Sequence, residues 1–89
     1  MQEVNHQKAM ELLNNSLKEM KDGLAEVDKM KLKNEKKSMA EHMHNIYDKL
    51  AILVEKYDSS DSHEDLNTAF RQLEMLKPSF ILNYNEILK

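Results

Sequence analysis

Met39–Tyr57, MAEHMHNIYDKLAILVEKY, decides the fold. Its apolar residues Met39, Met43, Ile46, Leu50, Leu53 and Tyr57 recur at spacings of 4, 3, 4, 3 and 4. That rhythm places all six on one side of an α-helix, whereas a half-buried strand would alternate every second residue. Polar segments bracket it. Lys33–Ser38 reads as a turn before the helix and Asp58–Ser62 as a loop after it, so the helix is expected over about 36–57.

Toward the N-terminus, Met10, Leu13, Leu17, Met20, Leu24 and Val27 repeat at 3, 4, 3, 4 and 3 and predict a helix over about 2–30. The seam crosses Gly23, whose cost of about 1 kcal/mol in a helix interior leaves a kink or break there open. The two seams are out of phase. Val27 and Met39 are 12 residues apart, so a straight helix would turn its stripe by about 120° and face two directions. A chain reversal between them resolves the conflict.

Toward the C-terminus, Leu66, Phe70, Leu73, Phe80, Tyr84 and Ile87 form a third seam over about 62–88, with Lys77 where the repeat calls for an apolar residue. Asp61 with Glu64, or Ser62 with Asp65, has the spacing of a reciprocal N-terminal cap. Pro78 lacks an N–H and crowds the preceding turn, so this helix is expected to be kinked or split at Lys77-Pro78. The fold class is therefore all-α. Short connections favour a small antiparallel three-helix bundle in a single domain, 1–89, with a helical-hairpin homodimer or four short helices as rivals.

Composition narrows the functions. The 89 residues include one Gly, one Pro, no Cys and no Trp, and Lys+Arg 13 against Asp+Glu 16 give a net charge of −3. A chain this short buries only about 60–65% of its unfolded surface, which makes a partner or a second copy a natural supplement. Without Cys there are no disulfides, thiolate metal sites or thiol nucleophiles. Met1–Glu11 carries Glu3, His6, Lys8 and Glu11 and does not read as a signal peptide, and Leu50–Val54 is too short to cross a bilayer. A soluble, cytoplasmic protein that does not engage a membrane is expected.

Catalytic patterns are weak. Glu3–His6 and Glu41–His44 match the i, i+3 carboxylate–imidazole pairs of di-metal bundles, but the first lies at a terminus and His44 follows the core residue Met43 by about 100°. His42 and His44 point to different sides, and His63 sits near a cap. The single Gly cannot build a phosphate loop, and no Ser stands on a glycine elbow. No enzyme activity, cofactor or metal is expected.

Two surface features remain. Ile52 lies off the Leu50–Leu53 stripe, and Ile81, Leu82 and Leu88 accompany Phe80, Tyr84 and Ile87, more apolar residues than one stripe needs. Ile52, Phe80, Ile81, Tyr84 and Leu88 are accordingly the candidate partner-binding residues of a non-enzymatic protein-interaction module, an adaptor, chaperone, inhibitor or immunity-type regulator. The partner is another protein or a second copy. Lys29, Lys31, Lys33, Lys36 and Lys37 form the one basic stretch and are the candidate anion-binding residues, for which the alternative is a dimeric nucleic-acid-associated regulator. That stretch lacks Arg and interleaved aromatics, and a solvated turn explains it as well. A purely structural assembly component is the third reading.

Overall fold

The computed structural model describes residues 5–89 and contains three α-helices: α1 His6–Asp28, α2 Glu35–Ser60 and α3 His63–Leu88. They pack as an up-down-up bundle about 49 Å long and 17–21 Å across. Residues 2–4 of the expected first helix, and Glu3 with its metal-pair reading, lie outside the described residues. α1 starts where Asn5, in extended conformation, accepts a hydrogen bond from the Lys8 N–H at 2.8 Å. It runs through Gly23 without interruption and closes with Lys29 N–H to Glu26 C=O and Met30 N–H to Val27 C=O bonds, which tighten the last turn.

The first connection comes earlier than the polar run Lys33–Ser38 suggests. It comprises Lys29–Asn34, so α2 begins at Glu35, within a residue of the expected start at 36, and Lys36, Lys37 and Ser38 of the polar run belong to the helix. The reversal is made by Asn34, which takes a positive φ of 58°, a region that Asn tolerates better than most residues. Leu32 folds back against the core and holds the loop down. Polar side chains at 36–38 are therefore the first turn of a helix rather than its interruption.

α2 likewise extends three residues past its apolar seam, to Ser60, because the tail of the helix is surface and needs no apolar residue. Asp61 ends it in the left-handed region (φ 50°), its N–H bonded to the Tyr57 carbonyl at 2.7 Å. Ser62 then caps α3, its hydroxyl accepting from the Asp65 N–H at 3.0 Å. Of the two cap spacings in the sequence, the Ser62–Asp65 pair is the one that forms this bond, while the Asp65 carboxylate accepts the Ser60 hydroxyl. Pro78 lies inside α3, exposed on its outer side, and the helix continues through it as one element. The split at Lys77-Pro78 and the four-helix alternative are set aside.

Each seam supplies the core. Met20, Leu24 and Val27 of α1 meet Met43, Ile46 and Leu50 of α2 and Phe80 and Ile87 of α3 at one end. At the other, Ala9 and Leu13 meet Val54, Tyr57, Leu66 and Ala69. The alanines Ala9, Ala40 and Ala69 are buried although none belongs to a seam; a methyl group lets neighbouring helices come close. Among the described residues no polar side chain is buried and no buried polar side-chain atom lacks a partner, so the interior is apolar throughout.

Candidate functional site

α2 is the spine of the bundle. It packs extensively against both neighbours, whereas α1 and α3 touch least. The α1–α2 side is closed by histidine–aspartate hydrogen bonds at both ends. His6, in the first turn of α1, bonds through Nε2 to Asp58 at 2.9 Å and through Nδ1 to Asp61 at 2.8 Å, both at the end of α2. Its ring lies 4.9 Å from that of Tyr57. A neutral imidazole has one N–H, so two carboxylates on its two nitrogens select the doubly protonated cation. The hydrogen bonds to Asp58 and then Asp61 accordingly raise the His6 pKa above its ordinary 6.5. At the opposite end of α1, Asp28 accepts from His44 Nε2 at 2.8 Å.

These contacts account for two of the four histidines. The two carboxylates at His6 approach opposite edges of the ring, an arrangement that cannot converge on one ion. Among the described residues no cluster of three or more His, Asp or Glu is placed to hold a metal. Burial and the nearby Asp61 raise the Tyr57 pKa. No helix is long and apolar enough to cross a membrane among the described residues.

The α1–α3 side is different. Lys77 reaches Glu19 at 3.6 Å, and the Tyr84 hydroxyl donates to Glu26. The two pairs lie seven residues apart on each helix, which shows that α1 and α3 run parallel in constant register. Between them is a furrow of about 290 Å³, walled by Met20, Phe80, Ile81 and Tyr84 and rimmed by Glu19, Asp22, Glu26 and Lys77. Gly23 forms part of its wall. A Cβ at that position would sit 3.7 Å from the Phe80 and Tyr84 rings, an ordinary contact, so the missing side chain widens the furrow without being forced by the backbone. The hydrogen bond to Glu26 raises the Tyr84 pKa, with burial adding to it.

The candidate partner-binding residues fall in three settings. Phe80 is only 5% exposed and belongs to the core, so it supports the surface rather than projecting from it. Ile81 (44%) and Leu88 (46%) are exposed and stand one heptad apart, and half-buried Tyr84 lies between them on the furrow wall. Ile52 is exposed too, but it lies about 200° around α2 from the buried Leu50, on the side away from the core. It is not continuous with the others. Met75 and Leu82, also exposed and a heptad apart, extend the apolar strip of α3 around its outer side.

Lys29, Lys31 and Lys33 lie exposed in the α1–α2 loop, Lys37 is exposed in the first turn of α2, and Lys36 is half-buried there. None of the five forms an ion pair among the described residues. The furrow itself escaped a reading by apolar seams because its α1 wall is mainly polar, Glu19, Asp22 and Glu26, beside Gly23 and Met20. Comparison with protein-family models, with curated proteins and with solved structures found no match.

Proposed function

We propose that this chain is a non-enzymatic protein-interaction module of the cytoplasm that docks the C-terminal half of α3 onto a partner protein. One observation carries the reading: Ile81, Leu82, Leu88 and Met75 remain exposed on one helix of a bundle whose interior is already filled by other residues. Apolar side chains gathered in this way gain more from a protein surface than from water, at about 25 cal/mol per Å² buried. Ile81 and Leu88 are the anchors, Tyr84 offers an aromatic edge beside them, and buried Phe80 holds the helix in place. Ile52 supplies a separate, isolated contact. The surrounding carboxylates and lysines set orientation and encounter rate.

The test is the double variant Ile81→Asp, Leu88→Asp in a pull-down from native lysate, with nuclease treatment and at two salt concentrations. Retention of one protein by the wild type and its loss from a variant with unchanged circular dichroism is the expected result. An unfolded variant would reassign both residues to the core and end the reading.

The exposed lysines favour a second reading. α2 begins at Asn34 without a side-chain cap, leaving backbone N–H groups beside Lys33, Lys36 and Lys37, a combination suited to phosphate. A nucleic-acid complex formed this way weakens steeply with salt, and absence of binding at low salt removes it.

A further inference from the structure

The furrow between α1 and α3 and the lysine loop are complementary, and they belong to the same chain. The furrow has apolar walls, with Glu19, Asp22 and Glu26 against a single cation, Lys77, which Glu19 already engages. Its volume suits a side chain or two rather than a cofactor or a whole helix. The loop Lys29-Met30-Lys31-Leu32-Lys33 has Met30 37% exposed between two lysines that have no ion-pair partner among the described residues. Methionine is unbranched and flexible, the side chain best able to fit an irregular cleft.

The two features are also neighbours. α1 ends at Asp28, about 7.5 Å along its axis beyond Gly23, and Met30 follows two residues later, so furrow and loop lie toward the same end of the bundle. A two-fold axis between them would carry the loop of each copy to the furrow of the other, satisfying both contacts at once. We propose that the α1–α3 furrow is one half of a symmetric contact between two copies of this chain. Met30 of each copy enters the other's cleft beside Tyr84, and Lys29 and Lys31 meet Asp22 and Glu26. This rests on the docking reading above for the apolar character of the α3 wall, and it commits the furrow to a second copy.

Sedimentation velocity over a wide concentration range tests it. Wild type is expected to dimerise. The furrow reversal Asp22→Lys with Glu26→Lys, and the loop reversal Lys29→Glu with Lys31→Glu, should each weaken the dimer about tenfold or more. Mixing the two variants restores opposite charges at both contacts and should bring dimers back. Met30→Asp, a change in an exposed loop side chain that spares the helices, should give a folded monomer.

A monomeric wild type at every concentration overturns the proposal, as does a dimer indifferent to both reversals or to Met30→Asp. Folded reversal variants that stay monomeric when mixed overturn it as well. Failure of the docking reading is separable: a monomeric chain that still captures a protein through Ile81 and Leu88 sinks only the furrow contact, whereas charge-dependent dimers that capture nothing else sink only the hetero-partner.

Discussion

The two sides of α1 are built differently. Toward α2 it is clasped by His6 at its start and Asp28 at its end, with Leu13, Leu24 and Val27 buried between. Toward α3 it offers Glu19, Asp22, Gly23 and Glu26 to a furrow crossed by one lysine and one tyrosine hydroxyl. Filled volume and paired charge resist change on the first side. On the second, open space remains between the two helices beside exposed carboxylates.

The adjacent leucines Leu12 and Leu13 give the sharpest contrast, because they lie about 100° apart on one helix. Leu13 is 1% exposed and Leu12 49%. Leu13→Ala should lower unfolding free energy by about 2–5 kcal/mol, a large part of the stability of so small a domain. Leu12→Ala should change it by only about 0.5 kcal/mol. Urea unfolding followed by circular dichroism measures both, and equal losses would erase the distinction between the buried and the exposed leucine.

Gly23→Ala should have the opposite sign, raising stability by about 0.5–1 kcal/mol, since alanine is the better helix former and its methyl meets Phe80 and Tyr84 at ordinary distance. A decrease would mean that the furrow walls cannot accept even a methyl group. In the dimer the same substitution narrows the cleft offered to Met30, so tighter folding should accompany weaker association.

The clasp at His6 predicts the mildest effect and a definite pH dependence. Its pKa is raised on folding, so its contribution is fully present below the unfolded value of 6.5 and is lost as pH rises through the higher folded value. The melting-temperature difference between wild type and His6→Gln should therefore be greatest below about pH 6.5 and shrink at alkaline pH. A difference that grows with pH would show that the imidazole is held neutral. The furrow has no histidine among its lining residues.

Much of this was written in residue spacing. The three seams, the reversal between the first two, the Ser62 start of α3 and the existence of an apolar surplus at Ile81, Leu82 and Leu88 all follow from a period near 3.6 and from cap chemistry, which are local properties. The polar run Lys33–Ser38 overlapped the expected helix start at 36, because polarity does not separate a turn from the surface of a helix. Pro78 shows the limit from the other side: its local penalty argues for a break, yet the seams on both sides of it pack against the same α2, and that shared burial holds one helix together.

Spacing along the chain thus determined which residues form helices and which face of each is apolar, because helix geometry couples residues three and four apart. Only the tertiary structure decided that Phe80 is core while Ile81 is surface, that His6 grips two aspartates fifty residues away, and that the thinnest helix pair encloses an acidic furrow beside the lysine loop. Those outcomes depend on the rotation and register of one helix against another, set by volumes and charges from all three at once.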